Sequence, residues 1–234
     1  MNLHRKKQSV LRSSLLLFLI CALNSFTSHS QTPSSFFWEP DFSLGFDSSE
    51  KWSHTFGIAK RTLLSEYYEG EQMAGWNVEH LELNHFTKYK TSANTALSFG
   101  IRYRFKEIFE ESSYDELRFV EQFNISHPNS ALDLGHRFRV EQRFKNIVTE
   151  HRLRYQFGGS KALSEVFALG LSTEALLTLA NELEPSLEQR FVLEVSNTSF
   201  KDLELSLALD YEMADYNNEL ENEFFLLTGV SLDL

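Results

Sequence analysis

Leu132-Asp133-Leu134-Gly135-His136-Arg137-Phe138-Arg139-Val140-Glu141-Gln142-Arg143-Phe144, followed after Lys145-Asn146 by Ile147-Val148-Thr149-Glu150-His151-Arg152-Leu153-Arg154-Tyr155-Gln156-Phe157, is the stretch that decides the fold. Leu134, Phe138, Val140 and Phe144 alternate with Asp133, Arg137, Arg139, Glu141 and Arg143. Leu153, Tyr155 and Phe157 alternate with Glu150, Arg152, Arg154 and Gln156. A period of two sends successive side chains to opposite faces of an extended chain, and a helix would need a period of 3.6. Each segment is therefore a strand with one bulky apolar face and one charged face.

Working outward, the same alternation recurs. In residues 93–105, Leu97, Phe99, Ile101, Tyr103 and Phe105 alternate with Ser98, Gly100, Arg102 and Arg104. Residues 203–213 set Leu205, Leu207, Leu209 and Tyr211 against Glu204, Ser206, Asp210 and Glu212. The final stretch sets Phe224, Leu226, Val230, Leu232 and Leu234 against Glu223, Phe225, Leu227 and Asp233. Weaker segments of the kind are 38–47, 52–61, 78–88, 117–125, 166–178 and 187–196. The count is about eleven strands of roughly 10–13 residues, against about five or six in soluble sheets and about nine to eleven for a tilted membrane strand. Single-chain bacterial barrels have an even strand number, so the expectation becomes ten or twelve, with 38–47 the least secure segment. Pro33, Pro40, Pro128 and Pro185 are expected at strand ends or between strands, where a missing N–H costs least.

The hairpin in the opening stretch can be read more finely. Its apolar side chains share a face only if paired residues have an odd sum. A two-residue turn at Lys145-Asn146 meets that condition, pairing Phe144 with Ile147, and Asn tolerates the positive φ that such a turn needs. In that register Arg139 faces Arg152 and Glu141 faces Glu150. The diagonals Arg139–Glu150 and Glu141–Arg152 supply the compensating pairs.

Composition alone describes a soluble chain: 24% charged, 42% hydrophobic, mean hydropathy −0.30. After residue 30 no apolar run approaches the roughly 20 residues of a membrane helix. A membrane strand shows lipid only one face, so low mean hydropathy does not exclude a membrane barrel. The first thirty residues differ. Arg5, Lys6, Lys7 and Arg12 form a basic start, residues 15–23 are apolar, and Ser28-His29-Ser30 places small residues where a signal peptidase reads. This is the plan of a secretory signal, residues 1–30, leaving one domain at 31–234. Cleavage removes four basic residues and no acid, which takes the net charge from −11 to −15. It also removes Cys21, the only cysteine, and with it any disulfide or zinc–cysteine site. So acidic a chain repels nucleic acid, which is excluded as a partner.

Two geometries use such strands: a soluble barrel with its apolar face inside, and a membrane barrel with its apolar face outside. Bulky Leu and Phe crowd nearly every strong strand, more than a small closed core holds. The polar face is rich in Arg and Glu, suited to paired interior networks. Trp38, Trp52, Trp76, Tyr89, Tyr103, Tyr114, Tyr155 and Tyr211 gather near strand ends, as interfacial girdles do. The expected fold is all-β, an antiparallel up-and-down transmembrane barrel of about 10–12 strands in a bacterial outer membrane. Its partners are then outer-membrane lipid and the barrel-assembly machinery.

The runs 136–144 and His151-Arg152-Leu153-Arg154-Tyr155, with Gly100-Ile101-Arg102-Tyr103-Arg104-Phe105 and Glu121-Gln122, resemble an uncharacterised family of bacterial outer-membrane barrels common in Bacteroidetes and catalogued as a domain of unknown function. The resemblance covers roughly residues 36–234. It implies a barrel and an outer-membrane address but no activity. Strands of such proteins often end in an aromatic residue read by the assembly machinery, and this chain ends in Leu234.

The candidate site is the charge ladder facing the lumen: Arg102, Arg104, Arg137, Arg139, Arg143, Arg152, Arg154 and Arg190. Its expected partners are Glu121 by proximity, Glu141, Glu150, Glu188, Glu194, Glu204, Asp210 and Glu212. Buried charges must pair, so the ladder reads first as a salt-bridged plug and second as a lining for a small anion. His54, His80, His85, His127, His136 and His151 show no metal-ligand spacing. Ser126-His127 with Asn124 and Asn129 offers the residue types of a hydrolase without a supporting motif. No catalytic residue, cofactor or metal is assigned. The acidic stretches 107–116 and 215–223 read as solvated loop tips, with divalent-ion binding the sharper reading. The expected role is a structural barrel or narrow channel. The rivals are an outer-membrane barrel enzyme acting on lipid or peptide and a soluble periplasmic ligand-binding barrel.

Overall fold

A computed structural model describes residues 33–68, 70–106, 115–128, 132–146, 148–181 and 183–234. The proposed signal segment, Tyr114 and Asn129 lie outside the described residues, as does most of the acidic stretch 107–116. Eleven strands follow one another: β1 (Ser34–Asp47), β2 (Trp52–Tyr68), β3 (Glu71–Lys90), β4 (Thr95–Lys106), β5 (Glu116–His127), β6 (Asp133–Phe144), β7 (Thr149–Ala162), β8 (Phe167–Ala180), β9 (Ser186–Phe200), β10 (Leu203–Ala214) and β11 (Glu221–Asp233). Each pairs with its neighbour in sequence, and β1 closes on β11 to complete a barrel.

The closure corrects the even count and the uniformly antiparallel topology. Ten hairpin connections reverse direction ten times, so the last strand runs the same way as the first. The β1–β11 ladder is accordingly parallel, from Ser34 opposite Asn222 to Gly45 opposite Asp233. Strand β1 forms both of its ladders. Its Pro40 is also a correction, for it lies inside the strand. It keeps its place opposite Thr228 of β11, while the β2 register passes over Glu39 and Pro40. The missing N–H therefore falls where the β2 ladder is interrupted.

The hairpin β6–β7 has the expected parity and a different offset. Phe144 pairs with Thr149, Glu141 with Arg152 and Arg143 with Glu150. The turn is four residues long, closed by Lys145 N–H donating to the Val148 carbonyl at 3.1 Å. Lengthening the turn by two slides the register by two and leaves every side chain on its face. The shift puts Glu141 directly across from Arg152 and Arg143 from Glu150, so opposite charges are not confined to diagonals. Only Arg139 meets a like charge, Arg154.

The faces are inverted relative to a soluble sheet. Side chains such as Phe99, Phe138, Leu153 and Leu209 are exposed around the outside. Among the described residues the buried set is mostly charged: Glu82, Glu116, Arg118, Arg139, Glu141, Arg143, Glu150, Glu174, Glu188, Asp210 and Glu212, against five buried hydrophobic residues. Two of those five, Phe37 and Phe225, stack across the parallel seam with centroids 4.9 Å apart. Aromatic pairs mark both ends: Trp52 with Tyr89 at 4.7 Å, and Trp38 with Trp76 at 5.4 Å. Tyr155 departs from the expected girdle, standing seventh of fourteen residues in β7.

The rim where β1 begins, rim A, carries connections 69–70, 107–115, 145–148, 181–185 and 215–220. The opposite rim B carries 48–51, 91–94, 128–132, 163–166 and 201–202. The hairpin of β2 and β3 is the longest, at 17 and 20 residues. It turns at Gly70, whose φ of +89° is open to glycine and strained for other residues.

Candidate functional site

The inward positions divide by size. Toward rim B many are small or neutral: Ser126, Gly158, Gly170 and Ser172 line a vestibule of about 770 Å³. Arg137, Glu174, Arg190 and Asp210 also line it. Toward rim A the inward positions are long and charged, and they fill the lumen. Side-chain volume alone therefore makes one half of the barrel hollow and the other solid.

In the solid half, carboxylates are bound by arginines, most of them from neighbouring strands. Glu82 of β3 takes Arg102 at 3.2 Å and Arg104 at 3.0 Å, both from β4. Glu116 of β5 is held by Arg118 and by Arg143 of β6, whose Nε and Nη2 donate to its two oxygens at 2.8 and 2.9 Å. Arg143 also reaches Glu150 at 3.0 Å, which Lys145 holds from the turn. Glu141, with no exposed surface, accepts from Arg139 at 3.3 Å and Arg154 at 3.1 Å. Arg154 continues to Glu174 of β8, which also accepts from Arg137 at 2.9 Å. Arg152 meets Glu188 at 2.8 Å, and Arg190 meets Glu212 at 2.5 Å and Asp210 at 3.9 Å. Arg139 completes its fork on Gln122 at 2.7 Å. Burial raises the cost of each charge, and sharing Glu82, Glu116, Glu141 and Glu174 between two guanidiniums each is how much of that cost is met.

All eight arginines read from the sequence, with Glu141 and Glu150, thus lie in ion pairs. The expected diagonals Arg139–Glu150 and Glu141–Arg152 are replaced by Arg139–Glu141 and Arg143–Glu150, because the register moved. Glu121 is a correction: it lies on the outer face, where β5 alternation places it with Phe119 and Phe123. Glu194 and Glu204 face inward near rim B, outside the ion-paired set.

Several members were not anticipated, Lys145 on Glu150 and Glu79 beside Arg61 among them. Glu39 and Arg61 pair beside the Phe37–Phe225 stack, with the Arg61 guanidinium 4.7 Å from the Phe225 ring. Glu82, Glu116, Arg118 and Glu174 are further members. Glu82 had a signal in the alternation of Leu81 and Leu83. Glu116 falls in the acidic stretch before a strand read from 117, Arg118 lies in that weakly alternating strand, and Glu174 belongs to a segment whose neighbours Thr173 and Ala175 blur its faces.

Ser126 and His127 do not form a nucleophile–base pair. The Ser126 hydroxyl donates to the Asn94 carbonyl at 3.3 Å, and His127 packs edge-on against His136 at 5.4 Å. His136 faces outward, and its Nδ1 lies 2.9 Å from the Tyr155 hydroxyl. Asn124 accepts from Gln122 at 3.0 Å. In the 215–220 connection, Asp215 accepts from Asn218 at 2.7 Å, the bond of a solvated turn.

Comparison with known proteins gives one family. The model described as "Protein of unknown function (DUF2490)" matches residues 40–223. No curated protein matches the chain. Among solved structures, OmpT of Vibrio cholerae, an outer membrane protein, is 8% identical with a TM-score of 0.38, covering 76% of this chain and 86% of its own. Its loop L8 deletion mutant is 8% identical with a TM-score of 0.40, covering 82% and 96%.

Proposed function

Because the chain belongs to the DUF2490 family of unknown function, whose description names no activity, we propose a role from the barrel itself: a non-enzymatic outer-membrane protein whose lumen is plugged on one side and open as a blind vestibule on the other. Two features support the membrane assignment. The outward belt of Phe and Leu would cost roughly 25 cal/mol for each Å² left in water. The charged face, which water would welcome, is instead turned inward. The start of the chain, read as a cleaved secretory signal, fits export to that membrane.

The observation that carries the plug is Glu141. It sits without exposed surface between arginines of β6 and β7, at the junction of the solid and hollow halves. A solute entering from rim B meets that layer and must break several charge-assisted bonds to pass. The chain reconstituted in planar bilayers is expected to carry no steady current. Glu141→Ala combined with Arg154→Ala is expected to open one. Steady conductance by the unaltered chain would overturn the plug and favour a narrow channel.

A further inference from the structure

Glu121 is a charge that the lumen does not use. It is the sixth of twelve residues in β5 and points outward, flanked in register by Phe99 of β4 and Val140 of β6. It makes no hydrogen bond or ion pair with any described residue. It stands in a groove of about 890 Å³ on the outside of the barrel, lined by Leu97, Phe99, Phe123, Phe138, Leu153 and Tyr155 among others. A lone ionisable group in a lipid-facing belt is costly and calls for a partner. A complementary group shares the groove. The Tyr155 hydroxyl, itself exposed, is tied to His136 Nδ1 at 2.9 Å. If His136 donates, the phenol is free to donate outward.

The register sets these groups at one depth. Phe123, Phe138 and Tyr155 form a single row across β5, β6 and β7. Barrel strands tilt by about 40°, so a line of equal depth drifts roughly one residue per strand across such rows. Starting from Glu121, it passes Phe138 and reaches Tyr155. A two-fold axis parallel to the barrel and set at Phe138 then places Glu121 of each copy opposite Tyr155 of the other.

We propose that the β5–β7 groove is the self-complementary interface of a two-fold dimer of this chain, with Phe138 against Phe138 at its centre. Two reciprocal Tyr155-to-Glu121 hydrogen bonds flank that centre. The interface is isologous, so it closes at two copies and does not propagate. Phe99, Val140 and Leu153 surround the paired carboxylate and keep lipid headgroups from it. The inference rests on the reading of the outward face as lipid-facing.

The test uses the full chain in a Cys21→Ser background, expressed into bacterial outer membranes and mildly oxidised. Phe138→Cys is expected to give a covalent homodimer. Leu207→Cys, equally exposed on β10 four strands away, is expected to give none. Adding Glu121→Val removes both reciprocal bonds and should weaken self-association about a hundredfold, roughly tenfold for each hydrogen bond to a charge. Sedimentation of the unsubstituted chain in density-matched micelles should show two copies, which keeps the test independent of how the variants fold. Membrane recovery with one copy, no cross-link at 138, or equal cross-linking at 207 overturns the dimer alone. Recovery of the chain in the detergent-free wash overturns the lipid-facing reading and the dimer with it.

Discussion

Arg143 grips Glu116 across the β5–β6 ladder with two parallel hydrogen bonds, 2.8 and 2.9 Å long, while Arg118 holds the same carboxylate from its own strand. Removing that carboxylate leaves two buried guanidiniums facing each other. Glu116→Leu should therefore cost about 3–5 kcal/mol, as for other broken buried pairs. Replacing all three with apolar residues of similar size should recover most of the loss. Urea titration in micelles, followed by tryptophan fluorescence, reads both variants. An unchanged midpoint for Glu116→Leu would show that water, not Glu116, satisfies the arginines.

The outer belt supplies an opposite expectation. Leu153 is half-exposed at the middle of β7, directly opposite Val140 and Leu177. Leu153→Arg should cost about 2–4 kcal/mol in lipid, the penalty for a cation at the bilayer midplane. In a soluble barrel an exposed Leu→Arg change would cost almost nothing. Refolding yield into vesicles, compared with that of Leu153→Phe, separates the two.

Strand parity gives a topological prediction. Since β1 and β11 run the same way, Ser34 and Asp233 lie at opposite rims. Tags placed just before Ser34 and just after Leu234 should be labelled from opposite sides of the membrane by an impermeant reagent. Labelling of both from one side would mean an even number of strands.

The short turn between β9 and β10 carries Asp202 at φ 58°, and the β9–β10 register slips between Leu203 and Leu205. A left-handed residue at such a bulge is most at ease as glycine. Asp202→Gly should thus raise stability by about 0.5 kcal/mol, and Asp202→Val should lower it by 1 kcal/mol or more, roughly. Thermal unfolding in detergent checks the order.

The alternation of Phe138, Val140 and Phe144 with Arg137, Arg139 and Glu141 made the strands and the two faces legible, because parity depends only on local spacing. Absolute register did not follow from it. Phe144 opposite Ile147 and Phe144 opposite Thr149 keep the same faces, and only the turn chooses between them. The odd closure was hidden for a related reason: no local feature of β1 reveals that its far neighbour is parallel. Glu82 and Glu174 were missed because isolated acids in weak segments lack the arginine repetition that marks β4, β6 and β7. The outward position of Glu121 was legible from Phe119 and Phe123 on either side, yet its charge argued for the lumen. Hydropathy and alternation disagreed there, and alternation prevailed.

Trp38 donates its indole N–H to the Thr228 hydroxyl at 3.1 Å, joining residues 190 positions apart in the chain. Every other ladder joins strands adjacent in sequence and can zip up as a hairpin, whereas this one waits for both terminal strands. Until then the nascent sheet has two raw margins that would pair with any strand they meet. Completion is thus a single late event. The bond that records it sits on slanted, parallel pairing, the weaker kind. A cylinder made this way should begin to open where it was last fastened.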